Sequence, residues 1–527
     1  MDREMKKFWN DNYWSEYLAQ PEKMDLFDNL WIGKHQDMIN QLPKGRVLDL
    51  GCGIGQFTDY WMKNGFQVTS ADISEKALAT LRARTPAANT VELDMSQPLP
   101  FEDGTFDVVF ANLSIHYFDE KTTLALSNEI WRILKPNGLL IGSVNSSVAF
   151  KYIQDYAKVL GENFYWADDR SVRLFDRPQF DQFFGQFKTV SLEENHITRF
   201  QSPKCQWEFI FKKERYGFGV DLGGTTVKIA WFDEMGNMLS KWEIPTVTDN
   251  DGAQILPDIA ASILKFLEEN EIDRRQVIGI GIGVPGAVNG KGEVNKCINL
   301  GWDYIFNIEQ ALAELTGLPV KAGNDANVAA LGEAWKGGGN GCENMVFATF
   351  GTGVGGGIIV GGKLLAGVHG AGGEIGHLVV NAKETQRCNC GKFGCVEQYC
   401  SATGIVRLAK LRLAAEDTPS ALRSEKDLTC KDVFDAGKNG DTLALQVLEQ
   451  VYDYMGQFLA NVCCAVDPQV VVLGGGVSKA GQCLLDGAKK YFDRYIFHAS
   501  SAITFALATL GNDAGAYGAF KLMLDGV

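Results

Sequence analysis

Three cysteines and a histidine fall within twenty residues of one another, in Glu374-Ile-Gly-His377, Cys388-Asn-Cys390 and Gly394-Cys395-Val-Glu397. This is the ligand count of a closed, tetrahedral structural zinc site, with His377, Cys388, Cys390 and Cys395 as ligands. Four ligands from so short a segment tie it into a knot, because binding the metal is itself a folding force. Glu374 and Glu397 flank the knot. The soft ligand set is complete without them, so they face something else. Carboxylates suit the hydroxyls of a polyhydroxylated ligand, since charge-assisted hydrogen bonds are the strong ones. A zinc knot bracing a sugar-binding surface is the expectation. A redox or merely buried thiol group fits the tight spacing and the fourth ligand less well.

The 527 residues are too many for one hydrophobic core, and length alone gives about two to four domains. A hydrophobic content of 46% with 22% charged residues is that of a folded soluble protein. The net charge of -15 argues against a general nucleic-acid or membrane-surface binder, although backbone amides can bind a nucleotide's phosphates locally. No apolar stretch follows Met1-Asp-Arg-Glu-Met-Lys-Lys to make a leader, and no run of about 18 apolar residues predicts a membrane span. The 12 cysteines are too sparse for a disulfide scaffold, and their clustering points to metal in a reducing cytoplasm.

The pattern changes near Phe211-Lys-Lys-Glu-Arg215, where one α/β alternation ends and the strand Tyr216-Gly-Phe-Gly-Val-Asp221 begins another. The expected domains are 1–212 and 216–527, joined by a short charged linker.

In the first domain the strand Arg46-Val-Leu-Asp49-Leu leads into Gly51-Cys-Gly53-Ile-Gly55 and then a helical stretch. Glycines at such a turn let a ligand approach the backbone. The dinucleotide fingerprint is excluded, because Gln56 stands where its third glycine belongs. Further strands end at Asp72, suited to ribose hydroxyls, and at Asp94, placed for an adenine edge. Phe106-Asp-Val-Val-Phe-Ala111 is a fourth strand, and the turn Leu134-Lys-Pro-Asn-Gly138 leads into a fifth. Over residues 40–145 the set resembles class I S-adenosylmethionine-dependent methyltransferases. The resemblance implies a Rossmann-like fold and a donor site made of Asp49, Gly51, Gly53, Gly55, Asp72, Asp94, Met95 and Asn112.

The methyl acceptor is unknown from sequence. Phe8, Trp9, Tyr13, Trp14, Tyr17 and Trp31 either cap a substrate pocket or pack amphipathic helices on the sheet, and packing is the expectation. A helical insertion is expected over about Val148 to Gly161. His116, after the fourth strand, is a candidate general base, although a structural role is the commoner one for such a histidine. Methyl transfer needs mainly alignment of the reactants, so no base is demanded.

The second domain opens with Asp221-Leu-Gly223-Gly224-Thr225-Thr226-Val-Lys228, read as strand, glycine turn, strand. A P-loop would need a helix after the glycines. Such a hairpin offers amides and hydroxyls to outer phosphates, and Asp221 could hold magnesium. A second glycine hairpin carries Thr352 and Gly353, and a third turn, Gly474-Gly475-Gly476, ends a β-branched run.

With Gly323-Asn324-Asp325-Ala-Asn327, Gly283-Val-Pro-Gly286, Asn299-Leu-Gly-Trp302 and Leu510-Gly-Asn-Asp-Ala-Gly515, residues 216–527 closely resemble the ROK family of repressors and sugar kinases, and within it the ATP-dependent glucokinases. The resemblance implies a two-lobed, actin-like fold of ribonuclease-H-like sheets, with ATP and magnesium in the cleft. It implies Asp325 as general base, and Asn299, Asn324, Asp325, Glu374, His377 and Glu397 as sugar ligands. Gly223, Gly224, Thr225, Thr226, Lys228, Thr352, Gly353 and Gly474–Gly476 would bind ATP. His377 would serve zinc with one ring nitrogen and sugar with the other. It also implies a homodimer or homotetramer.

Cys463 and Cys464, in an apolar helical stretch, are expected in the core. Cys400 is surplus to the zinc set, and Arg423-Ser-Glu-Lys-Asp reads as a solvated loop. Three alternatives stand beside a glucokinase fused to a methyltransferase. One is a kinase for another hexose such as N-acetylmannosamine. Another is a sugar-responsive regulator, disfavoured by the acidic chain and by the absence of an N-terminal helix-turn-helix. In the third, the first domain is a non-catalytic binding or docking module.

Overall fold

The computed structural model describes residues 6–19, 31–199 and 202–526, and the chain divides into two compact units, Met1–Arg215 and Tyr216–Val527. The leader expectation draws on Met1 to Met5, which lie outside the described residues. Among the described residues no helix is long and apolar enough to cross a membrane.

The first unit carries β1 (Arg46–Leu50), β2 (Gln67–Asp72), β3 (Asn89–Glu92), β4 (Phe106–Asn112) and β5 (Leu134–Asn145). Then come β6 (Lys158–Gly161), β7 (Phe164–Ala167), β8 (Arg170–Arg173), β9 (Lys188–Arg199) and β10 (Ser202–Lys212). Seven of them form one sheet in the order β3-β2-β1-β4-β5-β10-β9. The strands β1 to β5 are parallel, and β10 pairs antiparallel with β5 and β9. The Rossmann-like arrangement follows from strands apolar on both faces. Val47, Val108 and Ile141 pack with Trp61 on one side, whereas their neighbours Leu48, Val109 and Leu140 pack with Phe180 and Phe209 on the other. Helix starts carry the residues that satisfy open N–H groups. Asp119 accepts from the Thr122 amide at 2.8 Å before Glu120–Ile133, and Asp176 and Gln179 form a capping box before Arg177–Phe184.

Three local expectations need correction. The segment 148–161 is not a helical insertion: a 3₁₀ turn covers Ser147–Tyr152, and β6, β7 and β8 follow as an antiparallel sheet. Two-residue turns decide this. Asp168 and Asp169 adopt φ of 52° and 56°, the mirror-image turn whose twist matches a hairpin, and the aromatic run Phe164-Tyr-Trp favours strand. The turn Leu134–Gly138 lies within β5 as a bulge: register moves from Phe106 opposite Leu134 to Val108 opposite Leu139, with Asn137 at φ 63°. Lys213 is no linker charge. It is buried, and its ammonium donates to the carbonyls of Trp131 (2.9 Å) and Leu134 (2.7 Å) at the C-terminus of Glu120–Ile133. A cation is favoured there by the helix dipole.

The second unit continues with β11 (Tyr216–Leu222), β12 (Thr226–Asp233), β13 (Met238–Pro245), β14 (Val277–Val284), β15 (Ala287–Val288), β16 (Glu293–Cys297), β17 (Trp302–Asn307) and β18 (Val320–Asn324). The rest are β19 (Met345–Phe350), β20 (Val354–Val360), β21 (Lys363–Leu364), β22 (Val470–Gly474) and β23 (Thr504–Leu507). Two five-stranded sheets, β13-β12-β11-β14-β18 and β21-β20-β19-β22-β23, repeat one strand order, an antiparallel hairpin followed by parallel strands. This duplication is the actin-like architecture. The helices Asp325–Lys336 and Ala514–Asp525 lie against each other at very short range. A Cβ on Gly518 would stand 1.5 Å from the Val328 carbonyl oxygen, so only glycine permits the approach. Of the paired cysteines in the helix Thr442–Val466, Cys463 is in the core but Cys464 is exposed, because successive helical residues cannot share one face. Arg423 to Asp427 are all exposed, as expected, and the Arg423 guanidinium donates to the carbonyls of Leu413 and Thr418 at 2.9 and 3.0 Å.

Candidate functional sites

In the second unit His377 ends the 3₁₀ turn Ile375–His377. Cys388 is placed by a tight turn in which its amide donates to the Lys392 carbonyl at 2.8 Å, and Cys395 pairs as a β-bridge with Val379. The ligand atoms of His377, Cys388, Cys390 and Cys395 all lie within 4.8 Å of one another. Sγ of Cys390 is 3.6 Å from Sγ of Cys395, and Sγ of Cys388 is 3.9 Å from Nδ1 of His377. Zinc–sulfur bonds of about 2.3 Å require tetrahedral edges of about 3.8 Å, so the cluster has the dimensions of a zinc site. Nδ1 of His377 faces the thiols while Nε2 stands 3.9 Å from a Glu374 oxygen.

Glu397, at the start of a short helix, turns its carboxylate two ways. Oε2 accepts the Val354 amide at 3.0 Å and Oε1 lies 3.6 Å from the Cys388 sulfur. Gly353 gives Glu397 its room, since a Cβ there would lie 2.3 Å from Oε2.

Asn324 caps the helix Asp325–Lys336. Its Oδ1 accepts from the Ala326 and Asn327 amides, and its Nδ2 donates to the Gly286 carbonyl at 3.2 Å. Asp325 follows in the first helical turn. Burial raises its carboxyl above the ordinary range, and the charges of Asp221 and Glu374 push the same way against the Ala326 amide. Burial likewise raises Asp221, whose oxygen is 3.5 Å from the Lys228 ammonium. Asn299 stands exposed on the turn Ile298–Leu300. The turns at Gly223–Thr225, Gly351–Gly353 and Gly474–Gly476 all follow carboxyl ends of strands, where ligands bind in open α/β sheets. Of the nucleotide candidates, Gly224, Thr225, Thr352, Gly475 and Gly476 are exposed. Gly223, Thr226, Lys228 and Gly353 are half-buried, and Gly474 is buried.

Sequence gave no sign of Glu333. It is fully buried in the helix that begins at Asp325, and it accepts the amides of Gly338, Thr509 and Leu510 at 2.8, 3.0 and 2.9 Å. It therefore anchors the loop before Asn512, whose carbonyl lies 3.4 Å from the Lys228 ammonium.

In the first unit a cavity opens at the carboxyl ends of β1, β2 and β4. Asp49, Gly51, Gly53, Asp72, Met95 and Asn112 line it, and Gly55 and Asp94 do not. Gly55, at φ 84°, begins the helix Gln56–Lys63. Asp94 accepts the amide and hydroxyl of Ser96 at 2.9 and 2.7 Å. Asp49 accepts the Thr58 hydroxyl at 2.7 Å, and burial pushes its carboxyl up to about 7. Asp72 accepts the amides of Gly53 and Ser74 at 2.8 and 2.9 Å. Asn112 is held by Trp31 and Ser143. Nε2 of Gln56 is buried at the glycine turn with no hydrogen-bond partner, a donor left for a ligand. Trp9, Tyr13, Trp14 and Tyr17 line the cavity, and Trp14 and Tyr17 also pack with Ile54 and Ala77 as expected.

The ROK family profile matches residues 217–526. The chain belongs to the ROK family. A methyltransferase-domain profile matches residues 48–142, so the ROK domain shares its chain with a methyltransferase domain. The ROK domain is similar to a glucokinase of Halalkalibacterium halodurans, 44% identical over 58% of this chain and 94% of the relative. It is also similar to a glucokinase of Thermotoga maritima, 34% identical over 58% of this chain and 96% of the relative. Among solved structures it is similar to the ROK hexokinase of Thermus thermophilus, at 31% identity and TM-score 0.50, covering 58% of this chain and 96% of that one.

Proposed function

We propose that the ROK domain transfers the γ-phosphoryl group of ATP to the primary hydroxyl of a hexose, with glucose as the preferred acceptor. Similarity to the glucokinases along nearly their whole length supports this. The observation that carries it is Asp325, a half-buried carboxyl at a helix start beside Asn324, within electrostatic reach of Asp221 and Glu374. A carboxylate that holds a proton more firmly than usual is a stronger base toward a hydroxyl, and a placed base contributes about 10²–10⁴-fold in rate. Asn299, Asn324, Glu374, Glu397 and Nε2 of His377 hold the sugar hydroxyls. Zinc on Nδ1 of His377 and the three thiolates would fix the ring's tautomer and direction. The three glycine turns, with Thr225, Thr226 and Lys228, hold the nucleotide, and Asp221 would hold magnesium, which neutralises phosphate charge.

The methyltransferase domain binds S-adenosylmethionine along Asp49, Gly51, Gly53, Asp72, Met95 and Asn112. When bound, the sulfonium supplies a methyl group to an acceptor nucleophile. The buried, unpartnered Nε2 of Gln56 and the placing of Gly51 and Gly53 in the cavity wall support this.

The test is a coupled ADP assay of the full chain over glucose, mannose, N-acetylmannosamine and N-acetylgalactosamine, with and without S-adenosylmethionine. Glucose is expected to give the highest kcat/KM. Absence of turnover with every hexose would end the kinase reading.

A further inference from the structure

The cavity of the methyltransferase domain is electrically two-ended. Asp49 and Asp72 stand where β1 and β2 end, the side proposed for the cationic methyl donor. Across the sheet order, beyond β4, its lining comes from β5, β10 and the hairpin β7–β8, which supply Asn145, Lys204 and Arg170. Between these ends stands His116, only 1% exposed. Nδ2 of Asn145 is 3.2 Å from Nε2 of His116. An amide nitrogen donates, so Nε2 accepts and the proton of the neutral ring sits on Nδ1. That Nδ1 is buried and has no partner.

A second observation agrees. Burial first, and then the positive charges of Arg170 and Lys204, lower the His116 ring to about 3, so both cations act on the space around this ring. Arg170 is steadied by the Asp168 carbonyl at 3.2 Å. It also meets the exposed Asp168 carboxylate at 3.8 Å, a pairing that solvent weakens. The wall is apolar: Tyr117 lies 4.4 Å from the His116 ring and Trp9 packs edge-on to Tyr117 at 5.1 Å.

We propose that this end of the cavity is the methyl-acceptor site, and that it takes a small molecule with an apolar body and one oxyanion, a carboxylate or phosphate. Arg170 and Lys204 hold the oxyanion, the Nδ1–H of His116 donates to it, and Trp9 and Tyr117 cover the body. The proposal rests on the donor reading above. A cationic acceptor would meet two like charges, and one with no accepting atom would leave the buried Nδ1–H of His116 unmet, which is costly in a desolvated site.

Calorimetry on the full chain tests both readings separately. S-adenosylhomocysteine is titrated first, and failure to bind sinks the donor reading. The loaded protein is then titrated with benzoate, phenyl phosphate and benzamide. One or both acids are expected to bind about tenfold or more tighter than benzamide, the size of a charge-assisted hydrogen bond. Benzamide binding as tightly as the acids, or no acid binding at about 10 mM, overturns the acceptor proposal while leaving the donor reading intact. In the double variant Arg170→Glu, Lys204→Glu, benzamidine is expected to bind where benzoate no longer does. Retained benzoate binding in that variant also overturns it.

Discussion

Oε2 of Glu397 lies 3.0 Å from the amide nitrogen of Val354, so one side chain joins the metal-ligand loop to the glycine hairpin of the ROK domain. Its other oxygen is directed at Cys388. Sugar and nucleotide affinity are therefore expected to fall together in Glu397→Ala. A lost hydrogen bond to a charged group costs about 1.5–3 kcal/mol, or about 10–100-fold in affinity. Titration of glucose and of a nonhydrolysable ATP analogue checks this. A loss confined to the sugar would show that the bond to Val354 is idle.

Asp325→Asn keeps the side chain's shape and removes its basicity. Turnover is expected to fall about 10²–10⁴-fold. Glucose affinity should change little, because an amide still hydrogen-bonds a hydroxyl. Retention of more than about a tenth of wild-type kcat would exclude Asp325 as the base.

Cys390→Ser is expected to lose zinc, because a serine hydroxyl stays protonated where a thiolate is needed. With it goes the orientation of His377, so KM for glucose should rise. Elemental analysis showing one zinc per chain in the variant would remove Cys390 from the ligand set. Chelator treatment of the wild type should reproduce the effect.

Glu333→Ala leaves the amides of Gly338, Thr509 and Leu510 without their acceptor. The expected loss is about 3 kcal/mol or more, read from denaturant unfolding. Glu333→Gln keeps one acceptor oxygen and should lose less. Equal losses in the two variants would mean that packing, not these bonds, is at stake.

Asp49 makes the methyltransferase domain sensitive to pH. Burial raises its folded carboxyl to about 7, against about 3.9 in an unfolded chain. Between those values the folded state binds the extra proton, so stability falls as pH rises through the window. Asp49→Asn carries no such proton. The Tm difference, wild type minus variant, is expected to shrink from about pH 4 to about pH 7. A difference that stays flat or grows would refute the shift.

The parallel strands, the glycine turns and the cysteine cluster were legible because each is a local pattern: β-branched runs, glycines at fixed offsets, soft ligands at short spacing. What escaped depended on distance along the chain or on solvent. Glu333 reads as an ordinary helical glutamate, and only folding brings Thr509 to it. The hairpins β6–β8 hinge on left-handed φ at Asn163, Asp168 and Asp169, and neither Glu-Asn nor Asp-Asp is a strong turn signal. The aromatic residues Trp9 to Tyr17 carry the same spacing whether they pack on a sheet or roof a cavity. Cys464 shows the limit of composition, since an apolar helical stretch still has an outer side.

The lysine at 213 has a practical bearing on dissecting the gene. A truncation that stops at Lys212 removes the ammonium from the carbonyls of Trp131 and Leu134, uncapping a helix of the very fragment it means to isolate. A stop codon placed after Arg215 keeps that plug.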